Sequence, residues 1–130
     1  MTSKEFEKQI ARIVKVLEWQ GAKVTWDAKI PDPDNPKQLR QIDILIENKN
    51  KTITIVECRI HKNPQDVKWI EEMFGRKCSL NAKIAIAVSA SGFTKGAILK
   101  ASRLGVVLRE FSTLTDNEIK SWGNLSGCLQ

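Results

Sequence analysis

A chain of 130 residues, 42% hydrophobic, is large enough to bury about two-thirds of its unfolded surface in one core, which excludes any need for disulfides or a structural metal to hold it together. Its 21 Lys and Arg against 15 Asp and Glu leave a net charge of +6, which favours an anionic partner, nucleic acid ahead of a membrane surface. Three cysteines at wide spacings, no C-x-x-C pair and a single histidine argue against a Cys/His zinc site, and Cys58 and Cys78 read as buried structural thiols of a reducing cytoplasm.

In chain order, Thr2-Ser3-Lys4-Glu5 has capping-box spacing and Phe6, Ile10, Ile13, Val14 and Leu17 recur at helical intervals. Residues 3–20 are therefore predicted as an amphipathic helix stopped by Gly21. Glu7 lies at the edge of its apolar face, either as a solvated flank or aimed into a site beneath the helix. The start MTSKEFEKQI lacks the apolar run of a signal peptide, and no stretch reaches the roughly 18 apolar residues of a membrane span. The expectation is a soluble cytoplasmic protein with no membrane partner. Residues 22–30 alternate loosely as a half-buried strand, with Val24, Trp26 and Ala28 on one side. Prolines at 31, 33 and 36 then impose an exposed loop whose Asp32 and Asp34 are turn formers ahead of metal ligands.

Residues 40–59, RQIDILIENKNKTITIVECR, organise the rest. They read as two β-branched strands, 42–46 and 52–57, joined by a polar turn. With the turn centred on Asn50, Asp43 falls opposite Glu57, and period-two alternation puts both, with Arg59, on one sheet face. Opposed like charges destabilise a sheet, so the pair calls for a compensating cation: a divalent metal, or a nearby Arg or Lys.

Residues 65–77 carry Val67, Trp69, Ile70, Met73 and Phe74 on a broad helical face, and 81–88 read as a strand buried on both faces, as parallel pairing under helices requires. Residues 89–92 form a loop, Thr94 is the N-cap of a helix over 95–103 ended by Gly105, and 106–108 make a last short strand. A second capping-box spacing at 115–118 opens a C-terminal helical extension over 115–130. The sum is one α/β domain over 1–130, a mixed sheet with helices on both faces.

Asp43 in Ile-Asp-Ile-Leu-Ile, then Val-Glu-Cys-Arg around Glu57, a helix, and Ala-Lys-Ile-Ala-Ile-Ala-Val-Ser-Ala-Ser-Gly-Phe-Thr-Lys-Gly-Ala together resemble the PD-(D/E)xK nuclease superfamily, in its restriction-endonuclease-like branch of Mrr type. The resemblance spans roughly residues 3–110. It implies an αβββαβ core with a mixed central sheet, and a Mg2+- or Mn2+-dependent DNA endonuclease of restriction or DNA-processing type. It also implies that Asp43, Glu57 and the Cys58 carbonyl bind the metal, with Glu7 as an outer contributor. Where the family has Lys this chain has Arg59, which stays charged and cannot act as a general base, though it keeps the capacity to hold the scissile phosphate. Lys62 or Lys68 would then supply an ammonium. The alternative is a catalytically silent module of the same fold that binds nucleic acid or a partner protein.

Ser89, Ser91, Thr94 and Lys95 stand at a loop-to-helix junction, where free N–H groups favour phosphate and a plain helix start needs no ligand. Lys37, Arg40, Lys62, Lys68, Arg76 and Lys95 either line a DNA track or form a solvated face, and His61 reads as a surface residue ahead of a base. With so little loop outside the core, site recognition is expected from a homodimer or a separate subunit.

Overall fold

The computed structural model describes residues 1–123. Helix α1 (Ser3–Trp19) begins where the capping box puts it: Thr2 Oγ1 accepts the Glu5 N–H at 3.1 Å, and the Glu5 carboxylate accepts the Thr2 N–H at 3.2 Å. Strands β1 (Lys23–Pro31), β2 (Leu39–Glu47) and β3 (Ile53–Arg59) form an antiparallel meander. Strand β3 pairs in parallel with β4 (Ile84–Ser89), and β4 with β5 (Val107–Glu110), so the sheet order follows the chain. Helices α2 (Val67–Ser79) and α3 (Lys95–Leu104) make the two parallel crossovers, and α4 (Asp116–Gly123) follows a short 3-10 turn. This is the mixed sheet between helices that the sequence predicts.

Each face of the sheet carries its own apolar layer. Ile13, Leu17, Ile119 and Trp122 of α1 and α4 cover Ile44, Val56 and Ile86 on one side, whereas Trp69, Ile70, Met73 and Ala97 of α2 and α3 cover Leu45, Ile55 and Ala87 on the other. Strand β4 is buried on both sides, which explains its unbroken apolar run.

The alternation of β1 and β2 changes sides midway. Val24, Ile44 and Ile46 belong to the α1 layer while Ala28, Ile30 and Ile42 belong to the α2 layer, although period two would keep all six together. The switch sits at Asp27, held at φ 51°, where the β1–β2 ladder pairs Trp26 with Ile44 and Ala28 with Ile42 but skips the step between them. Asp enters the left-handed region more readily than a β-branched residue. The expected common side for Val24, Trp26 and Ala28 therefore fails, and Trp26 is left 60% exposed. Asp43 stands at the point where β2 changes face.

Two smaller corrections follow from helix geometry. Asn81 stands at φ 56° in the turn after α2, so β4 runs Ile84–Ser89 in place of the expected 81–88. Cys78 is exposed, because the buried face of α2 runs through Trp69, Ile70 and Met73 and misses position 78; Cys58 is half-buried. Cys128 and the end of the predicted 115–130 extension lie outside the described residues. No described helix is long and apolar enough to cross a membrane.

Candidate active site

Strands β3 and β4 finish at the same edge, with Arg59 beside Ser89. The loops leaving them are clasped: the Gln65 N–H donates to the Gly92 carbonyl at 3.0 Å, and the Thr94 N–H to the Gln65 carbonyl at 2.9 Å. The carboxyl ends of parallel strands are where open α/β sheets form crevices.

The β2–β3 register runs from Glu47–Ile53 to Ile44–Val56, and one more step sets Asp43 opposite Glu57. At that step side chains take over from the backbone ladder. Glu57 Oε2 accepts the Asp43 N–H at 2.8 Å, and Asp43 Oδ2 accepts the Cys58 N–H at 2.9 Å. Each acid thus grips the other's strand. The Glu57 side chain is only 16% exposed. Burial, and after it the Asp43 charge, pushes its carboxyl up to about 7, against the pull of the Asp43 N–H and of Arg76. Burial and then the same two acids push the Cys58 thiol up, which makes it a poor nucleophile.

The cation on this pair comes from α2. Arg76 Nη2 lies 3.0 Å from Glu57 Oε1 and also donates to the Gln41 carbonyl, while its buried Nε has no partner. Arg59 turns away from the acids. Its Nη1 donates to Gln65 Oε1 at 2.9 Å, its Nη2 lies 3.4 Å from Glu72 Oε2, and its guanidinium sits 4.5 Å over the Trp69 ring. The structure brings Asp43 and Glu57 together and engages Arg59 elsewhere.

Glu7 is exposed on α1, in a cavity of about 360 Å³ with Ile10, Val14 and Trp26. Among the described residues no three His, Cys, Asp or Glu side chains group as a metal site, so the acid pair stands without it. Lys62, Lys68 and His61 line an open cavity of about 330 Å³ with Arg59. Arg40 is tied to Asp32 at 2.7 Å and Ser79 at 3.2 Å, and its hydrogen bond holds the Asp32 carboxyl below the usual range. Asp32 also accepts the Asp34 and Asn35 N–H groups, as a turn former does. The Ser91 hydroxyl donates to the His61 carbonyl, Thr94 Oγ1 caps α3 by accepting the Ala97 N–H at 3.1 Å, and Lys95 is exposed in the first turn.

Sequence reasoning missed Glu72, Gln65 and the inward role of Arg76, which it counted as part of a basic track. The available signal was that the helix after β3 must cover that strand, so positions one turn apart on it can reach the ends of Glu57 and Arg59. The paired carboxylates are the kind of oxygen donors that suit a hard divalent cation, with burial and then the Asp43 charge already raising Glu57.

Residues 1–117 match the Mrr_cat family, described as restriction endonuclease. Among solved structures, a protein of unknown function, AF1548, aligns at a TM-score of 0.68 with 16% identity, over 86% of this chain and 62% of that one. A repair endonuclease from Pyrococcus abyssi aligns at 0.56 with 20% identity, over 85% and 46%. Protein VC1899 from Vibrio cholerae aligns at 0.60 with 15% identity, over 92% and 32%. At such identities the likeness is one of fold, and this chain spans less than two-thirds of each. No curated protein matches.

Proposed function

This chain belongs to the Mrr_cat restriction endonuclease family, and we propose that it is a soluble cytoplasmic Mg2+- or Mn2+-dependent DNA endonuclease. The observation that carries this is the meeting of Asp43 and Glu57 at the carboxyl end of β3, each held by the other strand's backbone N–H and Glu57 pushed up to about 7. Asp43, Glu57 and the Cys58 carbonyl would hold the ion, with Glu7, which does not group with them, as an outer contributor. When bound, the metal polarises the phosphodiester and lowers the pKa of a water. The chain's own contribution is grip and charge. Lys62 and Lys68, beside Arg59 in one cavity, fix the DNA backbone, and Ser91, Thr94 and Lys95 at the start of α3 offer a second phosphate contact. Arg40, committed to Asp32, positions the 31–38 loop rather than DNA. Arg59 stabilises phosphate charge and takes no proton. Choice of site falls to a second copy or a separate recognition subunit.

A silent module of the same fold is favoured by one observation, that Arg76 occupies Glu57 while Arg59 is bound to Glu72. The two readings separate on plasmid DNA. A nuclease cuts with Mg2+ or Mn2+ and not with EDTA, and Asp43→Ala and Glu57→Ala each reduce cutting to background; undiminished cutting by both variants removes this site. A silent module shows salt-dependent DNA binding alone, and Arg59→Lys restores cutting if only the lysine was lost.

A further inference from the structure

Two ion pairs join β3 to α2, and they are crossed. The strand acid Glu57 takes the helix cation Arg76 at 3.0 Å, and the strand cation Arg59 takes the helix acid Glu72 at 3.4 Å. A different pairing lies within reach, because Glu72 and Arg76 are four apart on α2 with the acid nearer the N-terminus, the favoured order for an intrahelical pair. We propose that Arg76 is a displaceable counter-ion: it holds the cation position at Glu57 until a divalent metal takes it, then falls back on Glu72, which frees Arg59 for a DNA phosphate. This rests on Asp43 and Glu57 being metal ligands.

The energetics of each contact favour the exchange. A carboxylate as enclosed as Glu57, with a second acid alongside, is stabilised in its ionised form by a cation, and Arg76 stands there at 3.0 Å. A guanidinium and a dication on one carboxylate repel each other, so the metal and Arg76 exclude one another. Arg76 is incompletely anchored: its Nη2 is shared between Glu57 and the Gln41 carbonyl, and its buried Nε finds no partner. The Arg59–Glu72 pair is the looser one, with side chains 33% and 49% exposed, and offers little resistance. Arg59 keeps its place over Trp69 when Glu72 leaves, at the mouth of the cavity shared with Lys62 and Lys68.

Calorimetric titration of Mn2+ into the full chain tests this without reference to cleavage. Arg76→Gln should bind Mn2+ about tenfold more tightly than wild type, the affinity equivalent of one charge-assisted hydrogen bond. Glu72→Gln should bind it about twofold more weakly, because the displaced arginine has lost its helical partner. An Arg76→Gln variant with unchanged circular dichroism and equal or weaker Mn2+ binding overturns the proposal and makes Arg76 a strut. If that variant does not fold, Glu72→Gln decides, and wild-type affinity there overturns the exchange. Asp43→Asn is the control. Wild-type binding that survives it, or no Mn2+ binding by wild type at all, sinks the metal-site reading itself, whereas loss in Asp43→Asn with no gain in Arg76→Gln sinks the exchange alone.

Discussion

The β2–β3 hairpin has two ends made from similar β-branched strands, and they are closed by different chemistry. At the turn, neutral groups do the work: the Asn48 side-chain amide donates to Thr52 Oγ1 at 3.0 Å, and the Thr52 N–H donates to Asn50 Oδ1 at 3.1 Å. The charges of Lys49 and Lys51 stay in solvent. At the far end two carboxylates replace the ladder, one of them mostly enclosed and pushed up to about 7. The turn end closes without charge, whereas at the far end the acids themselves accept the backbone N–H groups of the facing strand. Like charges are set against each other at one end only, in a strand pair whose other end closes with neutral groups, and the proposed metal site rests on that contrast.

Breaking the charged end should have the largest effect on stability. Arg76→Ala leaves Glu57 facing Asp43 with no cation, and removal of one partner from an enclosed pair costs about 3 kcal/mol. A lower urea midpoint at pH 8 measures it. Next comes pH. The Glu57 carboxyl stands at about 7 against an ordinary value of 4.5, so between those limits the folded chain binds more protons than the unfolded one. Its contribution is full below pH 4.5 and is lost as pH rises through 7, up to about 3 kcal/mol in all. Glu57→Gln should flatten that slope, and saturating Mg2+ should raise the melting temperature more at pH 8 than at pH 5. Stability that rises across this window would show that Glu57 is not enclosed. Arg59→Ala should cost only about 1 kcal/mol, as an exposed pair plus a cation–π contact does. The sequence alone ranks the two arginines the other way.

That inversion shows where legibility ended. The turn centred on Asn50 placed Asp43 against Glu57, because antiparallel register is arithmetic once the turn is known. Caps at Thr2, Thr94 and Thr115 and the unbroken run of β4 were equally readable, since each depends on residues close in sequence. Partner choice was not. Whether Glu57 meets Arg59 or Arg76 depends on how α2 lies across the sheet, and local periodicity carries no record of that crossing. The side switch at Asp27 was hidden for a related reason: one left-handed residue re-aims a strand without altering its apolar pattern.

The smallest effect belongs to the neutral end and checks the division itself. Lys51 sits at φ 70°, in the left-handed region, where a residue with a Cβ is strained by about 1 kcal/mol. Lys51→Gly relieves that strain but enlarges the unfolded ensemble, which takes back roughly 0.5 kcal/mol or more, so a net gain of a few tenths is expected. The urea midpoint should rise slightly at an unchanged slope, with the pH profile and Mn2+ affinity of the parent chain. A changed Mn2+ affinity would mean that strain at the turn reaches the acids through the ladder from Glu47–Ile53 to Ile44–Val56, and the two ends would then be one cooperative unit.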